Sequence, residues 1–287
     1  MFEYERPSSL DETFALIEAE PAARLLLGGT DLLVGLRKGR VTTPLVVDLK
    51  RVADLESGVT ERDGRLRIGA RTILTDLVAD ERVRTRYPAL VDAANVVGSI
   101  QIRNRATLAG NMGNASPAAD TATPLLVHGA EVELARRTGT RRVALADFLT
   151  GPGRTLLEPR ELISAIELPL PDGPMGSAFA RMTRRRGVDL ATVNLCCAVS
   201  STGATRFAFG AVGPRPFVVT DATGILAGAD AAPARQDELL RDLTDQATPI
   251  SNVRASREYR QAMLFVLARR ALEAARGHLQ EAQHAGA

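Results

Sequence analysis

Apolar and polar positions change period several times along the chain, and each change marks an element. After Pro7, Ser8 and Ser9, the run DETFALIEAE sets Phe14, Leu16 and Ile17 at helical spacing behind an acidic first turn, and Pro21 ends it. Residues 24–27 (RLLL) form a short apolar run, read as a buried strand, that stops at Gly28 and Gly29. Thr30 or Asp31 can then cap a helix through LLVGLRKG, with Lys38 in its last turn and Gly39 at its stop. Residues 44–49 (PLVVDL) give the next strand. This β–α–β order makes residues 1–55 a small α/β unit.

From Arg51 the pattern changes. Asp63 and Gly64 separate two short strand-like runs, a hairpin signal. Thr72 opens a helix through ILTDLVADERVR, Pro88 starts another, and a third covers about residues 121–129. Residues 130–134, 140–143 and 161–168 alternate as strands, so residues 56–172 read as an α+β unit. The cluster PLPDGPMG at residues 169–176 marks a boundary. Beyond it, residues 177–280 carry three strands joined by hairpins, then helices near residues 232–245 and 256–275.

Residues 101–120 (QIRNRATLAGNMGNASPAAD) fit none of these periods. Ala106, Ala109, Gly110, Gly113 and Ala115 leave the backbone bare, and nothing between Arg105 and Asp120 is charged. Thr107, Asn111, Asn114 and Ser116 add neutral hydrogen-bonding groups, which suit phosphate and sugar better than a metal. A tight surface loop would show the same small residues. Asp120 is the one carboxylate here, placed either to accept from ribose or ribityl hydroxyls or to cap the following helix. The LLLGGTDLLVGL segment has a related character. A strand ending in two glycines before a capped helix gathers free amides that can bind a phosphate. Such turns are also common as plain connections. The segment lacks the Gly-Lys-Ser/Thr ending of a P-loop and the spacing GxGxxG. Two amide-exposing segments in separate units are what a cofactor bound at their interface requires.

Composition narrows the classes. The net charge of +2 on 287 residues is not the footprint of a nucleic-acid binder. No run approaches the roughly 18 apolar residues of a membrane span, and the expected location is cytoplasmic. Cys196 and Cys197 are adjacent, so on an extended chain they point to opposite faces and cannot readily clip a metal or bond each other. With three scattered histidines, no metal or iron–sulfur site is expected in this chain. His128 reads as a packing or capping residue, and no Ser–His–Asp set or close carboxylate pair presents itself. No catalytic residue is named.

The LGGTDLL segment at residues 27–33 and the TLAGNMGNASPAAD segment at residues 107–120 resemble the two flavin-binding segments of the molybdenum hydroxylases. That family includes the medium, FAD-binding subunit of carbon monoxide dehydrogenase and the flavin domain of xanthine dehydrogenase. The likeness continues in order through QIRNR at residues 101–105, ELISAIELP at 161–169, Arg184 and Arg185 with DLATV at 189–193, and RASREYR at 254–260. It implies an α+β chain: a two-subdomain FAD-binding domain of the vanillyl-alcohol oxidase (PCMH-like) type, then a C-terminal α+β domain with a three-stranded antiparallel sheet. FAD would lie between the two subdomains. By resemblance, Leu27, Gly28, Gly29, Thr30, Asp31 and Leu32, with Thr107, Leu108, Ala109, Gly110 and Asn111, would cradle the diphosphate and its neighbours. Ala115 and Ser116 would line the same cradle, and Asp120 would bind the ribityl or ribose side. Leu162 would lie against the adenine end, and Arg181 would stand near the cofactor where relatives often have lysine.

Two departures stand out. Ala109 occupies the place of the first glycine in the family's Gly-Gly-Asn, and Ala106 another common glycine; a methyl there narrows the FAD space or requires a negative φ. The RMTRRR cluster at residues 181–186 is either a solvated or partner-facing hairpin or a contact to an anionic cofactor. The implied role is electron transfer. A partner large subunit carrying the molybdenum cofactor would oxidise substrate, an iron–sulfur small subunit would relay electrons to FAD, and NAD, a quinone or another acceptor would receive them. The alternatives are a free-standing flavin oxidoreductase and a flavin-less assembly protein of the same fold.

Overall fold

In the computed structural model, which describes residues 2–228 and 231–285, three sheets follow one another along the chain. The first comprises β1 (Glu3–Glu5), β2 (Arg24–Leu26) and β3 (Leu45–Asp48), all parallel in the order β1-β3-β2. Parallel neighbours need crossovers. Helix α1 (Leu10–Ala19) supplies one, burying Phe14 and Ile17, and the short α2 (Leu32–Arg37) supplies the other. Ser9 caps α1 by accepting from the Glu12 amide. Asp31 holds the corresponding position at α2, but neither it nor Thr30 caps: Asp31 is already helical in backbone and makes no side-chain cap bond.

The second sheet is antiparallel, ordered β4 (Val59–Arg62), β5 (Arg65–Gly69), β10 (Leu162–Pro169), β6 (Glu131–Arg136) and β7 (Gly139–Ala144). Asp63 and Gly64 both take positive φ (54° and 70°) in the first hairpin, the backbone that a two-residue turn between right-twisted strands requires. The helix opened by Thr72 breaks at Asp80 into α3 (Leu74–Ala79) and α4 (Glu81–Arg86), because Asp80 turns extended and caps the second piece. α5 (Pro88–Asn95) follows. Residues 101–120 are not a loop: they contain most of α6 (Ile100–Arg103) and all of α7 (Leu108–Asn114), before α8 (Ala122–Val127). Helix α9 (Leu145–Phe148) and the small hairpin of β8 (Leu149–Gly151) and β9 (Arg154–Thr155) complete this part.

The third sheet has four strands rather than three: β11 (Met175–Met182), β12 (Val193–Ser200), β13 (Thr205–Gly210) and β14 (Phe217–Asp221), antiparallel in sequence order. The fourth is a short edge strand that starts one residue after Pro216, so its pattern was masked by proline. Helices α10 (Pro233–Thr244) and α11 (Arg257–Ala285) follow. α11 approaches β11 so closely that a Cβ on Gly176 would lie 2.0 Å from the Ala275 carbonyl oxygen.

Two apolar cores result. The larger joins Phe14 and Val47 of the first unit to Leu66, Leu108 and Ile166 of the second without a break. The smaller lies between the third sheet and α10–α11, around Leu195, Phe207, Phe209 and Leu264. The third sheet is a wall between them: Cys196 belongs to the larger core and Cys197 to the smaller. Adjacent residues on a strand face opposite ways, so the pair is split as the extended-chain argument expects. Burial pushes both thiols up, which leaves them unreactive.

Candidate cofactor site

The two glycine-bearing segments meet. A Cβ on Gly28 would fall 2.2 Å from the Arg105 carbonyl oxygen and 2.9 Å from the Ala106 Cα, so the first turn lies backbone-to-backbone on the start of the second. Only glycine permits that approach. Gly29 is required for another reason, since its φ of 71° is left-handed. Among the described residues, nothing accepts from the amides of Gly28, Gly29, Thr30, Asp31 or Leu32. Five consecutive donors at the carboxyl end of a parallel strand suit an anion.

The second segment is anchored by Thr107, whose hydroxyl accepts from the Gly110 amide at 3.0 Å. Gly110, Gly113 and Asn114 are exposed, whereas Leu108, Ala109 and Met112 face the core. This division resolves the two departures noted in the sequence. Ala109 lies within α7 at negative φ, only 2% exposed, and its methyl and that of Ala106 join the larger core. Neither methyl narrows the cradle; Gly110 is the helix residue that bares its backbone. Asn111 Oδ1 accepts from the Thr121 hydroxyl at 2.7 Å, leaving its amide nitrogen for another partner. Ala115 closes α7 in the left-handed region (φ 47°), and its carbonyl accepts from the Gly153 amide at 3.0 Å. The Ser116 hydroxyl accepts from the Ala118 amide at 3.3 Å, turning the chain toward Asp120.

Asp120 does not cap α8; the cap position is Thr121, with no side-chain bond. Its carboxylate instead reaches the third sheet. Arg181 Nη1 donates to Oδ2 at 2.9 Å and Asn194 Nδ2 donates to Oδ1 at 2.8 Å. Burial pushes Asp120 up to about 6, against the opposing pull of Arg181 and the Asn194 hydrogen bond. Arg181 is itself held by the carbonyls of Val96 and Asp189. Arg184 and Arg185 close on their own loop, Arg184 pairing with Asp189 at 3.1 Å and Arg185 donating to the Val188 carbonyl. Leu162 is fully buried in the larger core, so only its backbone can face a ligand. His128 ends α8 edge-on to Tyr87, with ring centroids 5.0 Å apart.

Two residues escaped the sequence reading. Lys50 stands two positions beyond β3, where its ammonium reaches Asp48 at 2.7 Å and, at 3.4 Å, the carbonyl of Leu27, the residue that leads into the first turn. The adjacency of β2 and β3 would have placed it there. Asn194 gave no local signal, since it sits in an otherwise apolar strand.

Comparison with known proteins agrees in order along the whole chain. Residues 1–171 match the family model described as the FAD binding domain in molybdopterin dehydrogenase, and residues 177–275 match the CO dehydrogenase flavoprotein C-terminal domain. The xanthine dehydrogenase FAD-binding subunit of Escherichia coli is 32% identical over 286 residues, covering 96% of this chain and 98% of that one. The carbon monoxide dehydrogenase medium chain of Afipia carboxidovorans is 31% identical, covering 96% of each. Among solved structures, the reconstituted CO dehydrogenase from Oligotropha carboxidovorans superposes with a TM-score of 0.89 at 29% identity, over 97% of this chain and 98% of that one.

Proposed function

The chain belongs to the FAD-binding medium subunits of the molybdenum hydroxylase family, and on that premise we propose that it receives electrons from an iron–sulfur partner and delivers them through FAD to an external acceptor. It is an oxidoreductase subunit, and FAD is its cofactor. When bound, FAD supplies the redox chemistry by taking up and releasing electrons. The chain's own residues hold and orient it.

The backbone contact between Gly28 and Arg105–Ala106 carries this reading, because it sets five unpaired amides beside the exposed face of α7. The amides from Gly28 to Leu32 suit the diphosphate, with Lys50 adding positive charge where Leu27 leads into the turn. Thr107, Gly110 and Asn111 present the second wall. Leu108 and Ala109 build that wall from the core side, Ala115 and Ser116 shape its far end, and Asp120 takes a sugar or ribityl hydroxyl. Arg181 acts through Asp120 as its counter-charge, and the backbone of Leu162 borders the adenine end. The division into 1–55, 56–172 and 177–280 is proposed as two flavin-holding parts and a C-terminal part.

Among the described residues no group of His, Cys, Asp or Glu could hold a metal, and the proposed relay and molybdenum centre are assigned to small and large partner subunits. No helix is long and apolar enough to cross a membrane. Titration of the purified chain with FAD, followed by flavin fluorescence, tests the site; binding with quenching is expected, and absence of binding would overturn it. Mixing with the iron–sulfur and molybdenum subunits tests the relay. Substrate-driven flavin reduction is expected only in the full assembly, and turnover by the isolated chain would favour a free-standing oxidoreductase.

A further inference from the structure

The match to an FAD-binding domain stops at residue 171, yet the carboxylate at the end of the second segment, Asp120, is held from beyond that limit. Both hydrogen bonds donated to the Asp120 carboxylate come from the third sheet, Arg181 on β11 and Asn194 on β12. These two residues are directly opposite in the strand register, and Gly210 on β13 is opposite Asn194 on its other side. The row is built around the Asn194 amide. A Cβ on Gly210 would lie 1.9 Å from Asn194 Oδ1, so glycine there makes the room that the side chain occupies. Asn194 is wholly buried, and its Nδ2 also lies 3.4 Å from the Ala118 carbonyl. One residue past Gly210, the Ala211 amide donates to the Pro117 carbonyl at 2.7 Å. Residues 117, 118 and 120 are thus docked on the end of the third sheet by hydrogen bonds from β11, β12 and the residue after β13.

We propose that Asn194 is a positioning residue of the flavin site: it fixes the Asp120 carboxylate so that one face can accept a cofactor hydroxyl, making the C-terminal part a working portion of that site. The inference rests on the flavin reading. A carboxylate has about four lone-pair positions, and Arg181 and Asn194 use one each, so the geometry leaves acceptor capacity for a hydroxyl. Without the Asn194 amide, a carboxylate tied at one oxygen can rotate about its Cβ–Cγ bond, and burial opposes its ionisation more strongly. Asn194 Oδ1 meets no donor in the fold. A buried amide with one unmet atom is costly, and a structural role alone would be filled better by an apolar residue.

The full chain tests this through FAD affinity across pH, with Asn194→Leu, Asn194→Asp and, as a control in the same sheet, Thr205→Val. The charged group facing Asp120 is Arg181 from β11; Asn194 from β12 and the Ala118 carbonyl complete its surroundings. Asn194→Leu is expected to weaken FAD about tenfold at neutral pH, the worth of one hydrogen bond to a charged group. Asn194→Asp keeps the shape but sets two carboxylates face to face. It is expected to bind poorly near pH 7.5 and to recover as the pair takes up one shared proton on acidification. Thr205→Val should bind like the wild type. Folded Asn194 variants that match the wild type at every pH would overturn the proposal, and the isosteric Asn194→Asp decides alone if Asn194→Leu does not fold. A wild type that fails to bind FAD would instead overturn the flavin reading.

Discussion

Two buried guanidinium–carboxylate clusters in this chain have been built to opposite ends. Arg67, within the second sheet, donates to Glu56 at 2.6 Å and to Glu133 and Glu167 at 2.7 Å each, using all three of its nitrogens. Ser164 adds a donor to Glu133 at 2.6 Å, and Arg142 reaches Glu167 from the surface at 2.9 Å. Burial opposes the charge on Glu133, but the hydrogen bonds of Arg67 and Ser164 overcome it and hold that carboxyl below its usual range. Asp120 has the same kind of partners in smaller number, and there burial wins, pushing it up to about 6. The Arg67 cluster joins three strands of one sheet and uses every nitrogen of its guanidinium, although Glu167 Oε2 makes no hydrogen bond and has only its ion pair with Arg142. The Asp120 cluster crosses between two parts of the chain and keeps acceptor capacity in reserve. A guanidinium bonded at every nitrogen ties strands together, whereas the Asp120 carboxylate, with two donors, keeps the open lone pairs that its proposed role needs.

The largest effect should come from breaking the Arg67 cluster. Arg67→Met leaves buried Glu133 without its cation and Glu167 with Arg142 alone, costing about 3–5 kcal/mol. Urea unfolding at pH 7 measures it, and the loss should shrink on acidification as Glu133, no longer held low by Arg67, protonates. A loss under about 1 kcal/mol would remove the distinction between the clusters.

The next effects are pH slopes of opposite sign. Asp120 ionises near 3.8 unfolded but at about 6 in the fold, so the folded chain holds its proton longer. Its contribution is full below pH 3.8 and is lost as pH rises to about 6, a swing of about 3 kcal/mol. His128, fully buried, is pushed down to about 4 by burial and by Arg206, from 6.5 when unfolded. Its contribution is full above pH 6.5 and is lost by about 3 kcal/mol as pH falls toward 4. In the wild type these slopes nearly cancel between pH 4 and 6. Asp120→Asn should therefore become more acid-sensitive over that window than the wild type, and His128→Leu less so, in melting curves at stepped pH. Parallel curves for all three proteins would show that neither group titrates as described.

The smallest effect compares the neutral donors. Ser164→Ala removes a hydrogen bond to buried Glu133 and should cost about 1.5–3 kcal/mol by urea unfolding, with FAD affinity unchanged. A fall in FAD affinity in Ser164→Ala would mean that the two clusters communicate, contrary to their separate roles.

Much of the architecture was legible because it rests on local rules. Proline at 21 and 88, the Asp63–Gly64 hairpin and the helical spacing around Phe14 act over a few residues, and those elements stand where the pattern put them. Residues 101–120 were harder. Small residues bare a backbone whether it turns or coils, and the hydroxyl cap at Thr107 that decides for a helix is a weak signal beside two glycines and two asparagines. The candidate site was legible mainly as a set of residue types. That Gly28 would touch Arg105 could not be read from spacing, since the contact joins segments far apart in the chain. Ala109 illustrates the same limit: its identity looked like a change in the cradle, and only the direction of its methyl shows it to be core.

By itself, the sequence carried the resemblance that implied the family and the cofactor, and it determined most of the strands and helices, because glycine pairs, caps and apolar periods act on neighbours. Tertiary structure alone decided which face of α7 is bare, that Lys50 reaches the Leu27 carbonyl, and that Asp120 is gripped from the third sheet. Those outcomes depend on close approach between distant segments and on how much water each charge loses there. Neither quantity is a property of any one stretch of chain.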